Sequence, residues 1–313
     1  MQPQELRTVF MGTPDFALQT LQGLIDAGCN LVGVYTQPDR PKGRGKQLAA
    51  PPVKELALQY DIPVYQPVKL REPGVVAELE ALNPDLIVVV AYGQILPKSV
   101  LEIPAHGCIN VHASLLPEYR GAAPINKAIV DGKTETGITT MYMDVGLDTG
   151  DMLVKKALQI GPKETAGELH DRLASLGREA MEETLRQLCA GTLQREVQAD
   201  DQSTYASMMK KEDGRIDWSR SATEIHNQVR GLDPWPGAYT TINGELLKLA
   251  RTSPENEGSC NPGSVVTADK SGVRIACGKG TLLVKELQLA GRKRLAAADF
   301  LRGCPLEPGT TIG

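Results

Sequence analysis

The sequence predicts an α/β protein in which a Rossmann-like, doubly wound and mostly parallel sheet is followed by a small β-barrel. Three observations carry that reading. The runs 6–10, 31–35, 86–91 and 108–111 are short and apolar or β-branched, and a helical pattern over 16–27 separates the first two, which makes a βαβ unit. The run 86–91, Leu-Ile-Val-Val-Val-Ala, has no polar alternation, as expected of a central parallel strand covered by helices on both faces. Beyond residue 221 the pattern changes to short strands with turn signals, the strongest being Asn243-Gly244.

Taken in order, the first long helix after the sheet opens at Thr165-Ala166-Gly167-Glu168. This is a capping box whose hydroxyl and carboxylate answer free N–H groups of the first turn. Leu169, Leu173, Leu176 and Ala180 then recur at helical spacing, and the helix is expected to run to about Cys189 and stop at Gly191. The stretch 194–207 is polar, acidic and without clear periodicity, so the chain divides into an amino-terminal domain, 1–192, a linker, 193–207, and a carboxy-terminal domain, 208–313. A second capping box, Ser221-Ala222-Thr223-Glu224, opens one helix in the latter. A hairpin over 239–242 and 246–249, strands over 273–277 and 282–289, and a short helix ending over 299–302 follow. Closure of such strands into a barrel leaves no free edge.

Composition sets the bounds. At 313 residues two domains are favoured over one, and 41% hydrophobic with 23% charged residues describes a folded chain, not a disordered one. The longest strongly apolar run, 86–91, is far too short to span a membrane. Residues 1–7 carry Glu5 and have neither an apolar signal core nor an Arg-rich presequence, so a cytoplasmic location is expected. Six cysteines are widely spread with no C-x-x-C pair, which fits reduced thiols and no metal site. The net charge is −4, but unevenly placed: residues 1–206 hold 19 Lys and Arg against 26 Asp and Glu, while 207–313 hold 15 against 12. The carboxy-terminal third is the basic one, by a margin too small to decide a partner.

The residues with chemical potential begin at Asn110-Val111-His112. Alternation along a strand sends residues 110 and 112 to the same side, so an amide donor and an imidazole converge near the carboxyl end of the strand, where open α/β sheets bind ligands. Asp148 lies between glycines in Gly146-Leu147-Asp148-Thr149-Gly150, and a carboxylate held beside an imidazole favours the imidazolium. Spacing alone leaves open whether the two meet. A lone histidine serves as readily to bond a neighbouring loop, and an Asp flanked by Gly as a turn residue.

Asn110-x-His112 followed by Ser114-Leu115-Leu116-Pro117, with Asp148 in its Gly-Leu-Asp-Thr-Gly loop, resembles the active site of the folate-dependent formyltransferases. The resemblance runs from about residue 6 to residue 300 and is strongest over 84–150. It implies that Asn110, His112 and Asp148 are catalytic. It further implies that Ser114, Leu115, Leu116 and Pro117 line the tetrahydrofolate site, and that 10-formyltetrahydrofolate is the formyl donor. Gly12-Thr13-Pro14-Asp15-Phe16-Ala17 and Arg120-Gly121-Ala122-Ala123-Pro124 are similar to the branch that acts on methionyl-tRNA, and differ from the purine-pathway branch. A basic Gly/Pro segment, 37–46, points the same way: in isolation such a run is more often solvated surface, yet its place after the second strand matches a loop that in that branch enters the acceptor end of the tRNA. The resemblance thus implies methionyl-initiator tRNA as acceptor, a role in translation initiation, and nucleic-acid contacts from Arg40, Lys42, Arg44 and Lys46.

The carboxy-terminal pattern, with Asp233-Pro234-Trp235-Pro236-Gly237, is similar to the family's OB-like domain, which lies along the tRNA. Lys210, Lys211, Arg215, Lys248 and Arg292 to Arg294 are the candidate phosphate contacts, and a monomer is expected. Three other readings share parts of the pattern: a formyltransferase for an amino-sugar nucleotide or other small amine, a hydrolase of formyltetrahydrofolate, and a catalytically dead RNA-binding protein.

Overall fold

A computed structural model describes residues 1–42, 47–255 and 261–313. The chain begins β1 (Arg7–Gly12), α1 (Phe16–Asp26), β2 (Asn30–Tyr35), β3 (Arg40–Lys42), β4 (Gln47–Ala49), α2 (Pro52–Gln59), β5 (Val64–Tyr65), α3 (Pro73–Ala81), β6 (Leu86–Val90), α4 (Lys98–Leu101) and β7 (Cys108–His112). It continues β8 (Arg120–Gly121), α5 (Pro124–Val130), β9 (Glu135–Tyr142), β10 (Met152–Gln159), α6 (Ala166–Ala190) and β11 (Tyr205–Ala206). The rest is α7 (Ala222–Gly231), β12 (Tyr239–Ile242), β13 (Glu245–Glu255), β14 (Val265–Asp269), β15 (Gly272–Ala276), β16 (Thr281–Leu289), β17 (Leu295–Ala296) and α8 (Ala297–Gly303).

Seven strands form one sheet in the order β10-β9-β7-β6-β1-β2-β5. The central pairs are parallel, with Thr8 opposite Leu86 and Val89 opposite Asn110, whereas β9 runs antiparallel to β7. Every residue of β6 is buried, as its unbroken apolar run requires. Ile87 and Val89 pack with Val9, Met11 and Cys108 in one cluster, while Leu86, Val88 and Val90 point to the other face. Parallel strands place their carboxyl ends at one edge of the sheet, and the loops that follow β1, β2, β6 and β7 gather there.

The six-stranded antiparallel sheet runs β12-β13-β16-β15-β14, with β17 on β16. Asn243 and Gly244 both have positive φ, 49° and 79°, which makes the two-residue turn joining β12 to β13. Ser221 caps α7 reciprocally with Glu224, and Ile225 and Val229 on that helix pack into a core with Leu247, Ile275, Val284 and Phe300. The tail closes the gap between the edge strands: Val265 N–H donates to the Thr310 carbonyl, and Gly313 N–H to the Thr241 carbonyl.

These elements form two compact units that interleave in sequence. Residues 1–121, 137–158 and 170–205 make one, and 122–136, 159–169 and 206–313 the other. The sequence pattern suggests a sequential division; α5 instead belongs with α7, where Asn126 Nδ2 donates to the Gly231 carbonyl at 2.7 Å and a Cβ on Gly231 would lie 2.7 Å from Val130. Thr165 and Glu168 form their capping box, with Glu168 N–H on the Thr165 hydroxyl at 3.2 Å.

Candidate active site

The carboxyl end of β7 carries Asn110 and His112 on one face, while Val111 turns to the other, where a Cβ on Gly177 of α6 would come within 3.2 Å of it. His112 is only 6% exposed. Its Nε2 lies 2.9 Å from the Tyr119 carbonyl oxygen. A carbonyl can only accept, so Nε2 carries a hydrogen, and Nδ1 is the nitrogen turned to Asp148, 3.7 Å from its Oδ2. The half-buried Asn110 amide makes no side-chain hydrogen bond among the described residues. Of the three residues singled out in the sequence, His112 and Asp148 therefore meet, and Asn110 shares the strand face of His112.

Asp148 is held by more than its neighbours in sequence. Its backbone is left-handed, φ 53°, a conformation that Asp tolerates better than most side chains. Its Oδ2 accepts the Gly121 N–H at 2.8 Å. Gln198, 7% exposed, donates through Nε2 to the carbonyls of Asp148, at 2.7 Å, and Gly150, at 2.8 Å. Arg120 fixes Gln198 in turn, Nε to Oε1 at 3.0 Å, and its Nη2 pairs with Asp200 at 2.7 Å. The stretch 194–207 thus contributes a strap across the Asp148 loop. Nothing in the pattern of that stretch distinguishes Gln198, because its partners are backbone carbonyls remote in sequence.

The segment 114–117 is built into the support of the site. The Ser114 hydroxyl donates to the Glu118 carbonyl at 2.6 Å, and Ser114 is fully buried. Thr139 on β9 bridges the segment, donating to the Ser114 carbonyl at 2.8 Å and accepting the Leu116 N–H at 3.1 Å. Leu116 packs with Met141 and Met152, and Leu115 lies over Gly137, where a Cβ would meet it at 2.6 Å. Leu115 and Pro117 are half-buried.

The basic segment after β2 is carried by a hairpin of β3 and β4, with Arg40 opposite Ala49 and Lys42 opposite Gln47. Arg44 and Lys46 lie outside the described residues. Arg40 is exposed and reaches Gln37 Oε1 at 3.5 Å. The base of the hairpin is fixed by Asp39, which receives Gln66 Nε2 at 2.7 Å and Lys54 Nζ at 2.9 Å; those two bonds, Gln66 first, hold its carboxyl below the usual carboxylate range. Thr13, just past β1, donates to the Tyr92 carbonyl at 2.9 Å and ties the loops after β1 and β6 together.

Of the carboxy-terminal candidates, Lys210, Lys211, Arg215, Arg292 and Lys293 are exposed. Lys248 is committed to the Pro236 carbonyl at 2.9 Å and Arg294 to Asp233 at 2.9 Å. Among the described residues no group of three His, Cys, Asp or Glu could hold a metal ion, and Cys29, Cys108, Cys189, Cys277 and Cys304 are free thiols.

Comparison with known proteins agrees along the chain. The formyl transferase family model matches residues 6–185, and that of the formyl transferase carboxy-terminal domain matches 208–305. A methionyl-tRNA formyltransferase of Geobacter metallireducens is 60% identical over 98% of this chain and 99% of its own. One of Alkaliphilus metalliredigens is 53% identical over 98% of each. Among solved structures, WlaRD, a sugar 3N-formyl transferase, superposes with a TM-score of 0.69 at 18% identity, over 92% of this chain and 99% of its own. HypX from Aquifex aeolicus in complex with tetrahydrofolic acid gives 0.64 at 18%; the match covers 95% of this chain and about half, 47%, of HypX. At that identity the structures speak for the fold alone, a Rossmann-like sheet with an antiparallel carboxy-terminal sheet. Because the family's sequence model spans more than half of its residues, the Asn110–His112–Asp148 site included, the chain belongs to the formyl transferase family.

Proposed function

We infer that this chain transfers the formyl group of 10-formyltetrahydrofolate to the free amino group of methionyl-initiator tRNA, giving the N-formylmethionyl-tRNA used to start translation. The observation that carries the reading is the approach of the His112 ring to the Asp148 carboxylate at the carboxyl end of β7, with the free Asn110 amide on the same strand face. Two relatives named for this activity, 60% and 53% identical over 98% of the chain, support the choice of acceptor.

The chemistry assigns work to each group. The amine attacks the formyl carbon, a new C–N bond forms, and the carbonyl oxygen gains negative charge. Donors already aimed at that oxygen stabilise it by roughly 3 to 4 kcal/mol each in comparable sites. Asn110 Nδ2 is one such donor, and His112 becomes the other once its Nδ1 has taken the proton lost by the amine. The old C–N bond to the folate then breaks, and the proton lost by the attacking nitrogen must reach the folate nitrogen that departs. His112 Nε2 is occupied by the Tyr119 carbonyl, so Nδ1, with Asp148 Oδ2 beside it, is the edge left to exchange that proton. Gln198 and Gly121 hold Asp148 beside that edge of the ring.

The catalytic residues then fall within 1–192, with Ser114 to Pro117 bordering the folate, and 193–207 lead to 208–313, which together with the inserts 122–136 and 159–169 lies along the tRNA as an OB-like domain. Arg40, Lys42, Arg44 and Lys46 contact the acceptor end. The protein acts in the cytoplasm as a monomer; no described helix is long and apolar enough to cross a membrane. The test is to incubate the protein with 10-formyltetrahydrofolate and methionine-charged initiator tRNA and look for N-formylmethionine after ester hydrolysis. Product that disappears in His112→Ala supports the reading. Formylation of an amino-sugar nucleotide instead, or release of formate alone, replaces the acceptor by a small amine or by water.

A further inference from the structure

We propose that a cavity in the second compact unit, lined by Lys163, Arg230, Arg251 and Lys285, is a receptor for a phosphate monoester dianion. The cavity measures about 140 Å³, and its wall also includes Thr165, His226, Val229, Asp233 and Thr252. Its wall contains none of the residues assigned to formyl transfer, and the proposal does not depend on that reading.

Arg230 carries the argument. It is 7% exposed, yet its acceptors are Asn227 Oδ1 at 3.0 Å and the carbonyls of Gly161 and Glu164 at 3.1 and 3.2 Å. None is charged, and Nη2 has no hydrogen bond among the described residues. A guanidinium buried without a carboxylate in contact is costly unless an anion completes it. Burial lowers the pKa of Arg230 and the Glu164 carboxylate raises it, but Glu164 acts only through space, its Oε2 accepting the Gly161 N–H at 2.7 Å. The other neighbouring carboxylates are engaged elsewhere. Asp233 is consumed by Arg294 at 2.9 Å, and Glu168 faces Arg251 at 3.2 Å on the surface. Lys163 and Lys285 are exposed and form no ion pair among the described residues. Three positive groups, one of them fixed, therefore border one small space.

The shape and the remaining polar groups narrow the ligand. A planar fork and two ammonium groups suit a tetrahedral oxyanion. A partly enclosed space of this size admits one phosphoryl group with a few waters, which favours a terminal monoester over a diester that must continue on two sides. His226 sits in the wall, its Nε2 donating to the Pro162 carbonyl at 3.1 Å and its Nδ1 2.9 Å from the Thr252 hydroxyl. Burial, then Arg230 and Lys163, push its pKa down, while the Pro162 bond pushes it up. A bound dianion offsets the two cations and moves the ring back toward its ordinary value. His226 is thus a built-in reporter.

Inorganic phosphate is titrated into the full chain at constant ionic strength, and binding is read by calorimetry and by the His226 ring resonances. The expected result is saturable binding of one phosphate, an upward shift of the His226 titration midpoint, and at least tenfold weaker binding in Lys163→Ala/Lys285→Ala. Both lysines are exposed, so the fold is retained. Lys98→Ala/Lys270→Ala removes the same charge elsewhere and should stay within twofold of the parent. The source is distinguished with an RNA hairpin bearing a 5′-phosphate or a 5′-hydroxyl, and with glycerol 3-phosphate. Tenfold preference for the phosphorylated hairpin, lost in the double variant, assigns the site to a nucleic-acid end; equal binding of both hairpins with tight glycerol 3-phosphate assigns it to a small phosphorylated ligand. No saturable phosphate binding, or binding unchanged in Lys163→Ala/Lys285→Ala, overturns the proposal.

Discussion

Gln198→Glu tests whether the strap over the Asp148 loop sustains catalysis. The substitution preserves shape and the bond from Arg120 Nε, but removes both N–H donors that hold the Asp148 and Gly150 carbonyls at 2.7 and 2.8 Å. Two neutral hydrogen bonds contribute about 1 kcal/mol each, and a carboxylate facing two carbonyl oxygens adds a penalty for leaving them unsatisfied, for a total of about 3 kcal/mol. Residues 144–147 are exposed, so the loop can relieve this by moving outward without unfolding the core. Asp148 Oδ2 then leaves the Gly121 N–H and the His112 ring. If the whole of that energy is spent in reaching the reactive geometry, the rate falls about 100-fold, since each 1.36 kcal/mol is tenfold. The assay is the initial rate of formyl transfer at saturating donor and tRNA, with urea unfolding run in parallel. We expect kcat to fall by about two decades with KM for the donor nearly constant, and Gln198→Met, which adds no charge, to fall comparably. A kcat within threefold of the parent in both variants, under conditions where Asp148→Asn is strongly impaired, refutes the role of the strap.

His112→Ala should lose about 10² to 10⁴ in kcat and Asn110→Ala about 10² to 10³, each with donor affinity retained, as equilibrium binding of tetrahydrofolate will show. Replacing Arg40, Lys42 and Arg44 by Ala should raise KM for charged tRNA and steepen no salt dependence, while folate binding is unchanged; equal loss of both makes the segment structural. Gly150→Ala places a Cβ 1.9 Å from the Tyr142 carbonyl oxygen, and should cost about 2 to 3 kcal/mol in denaturant unfolding as the backbone shifts. Glu224 is held down to about 2 from 4.5, first by the Ser221 hydroxyl and backbone and then by Arg220. A depressed carboxylate contributes stability above pH 4.5 that fades as pH falls toward 2. Ser221→Ala should therefore destabilise by about 1 kcal/mol at pH 7, with the difference from the parent shrinking over that acid window; a constant difference contradicts the assignment.

The fold was legible where one physical demand dominates a segment. The unbroken apolar run of β6 admits few structures other than a strand buried on both faces, and Asn243-Gly244 admits few turns other than the one observed. Both capping boxes form as their residues require. That Asn110 and His112 share a face follows from strand periodicity alone, whereas the approach of Asp148 to His112 depends on chain paths that spacing does not determine. Gln198 and Thr139 were illegible for a different reason: they satisfy backbone groups of distant loops, and any small polar residue reads the same until those loops are in place. The hidden strand pair β3 and β4 escaped because each is three residues long and one contains Pro41, a residue that argues against a strand in sequence but is tolerated in a two-stranded ribbon.

The interleaving of the two compact units bears on how this protein can be recombined or cut. The chain passes from one unit to the other after residues 121, 136, 158, 169 and 205, so no single cut releases either unit whole. A fragment beginning at 206 lacks α5 and the carbonyls of Pro162, Gly161 and Glu164, leaving His226 and the Arg230 guanidinium without acceptors they use in the intact chain. A chimera that exchanges only the tail with a relative inherits a mismatch against both inserts, 122–136 and 159–169. Grafting the tail's specificity onto another catalytic body therefore requires carrying 122–136 and 159–169 along with it, and the same threading means that drift in those two inserts is constrained by a partner more than fifty positions downstream.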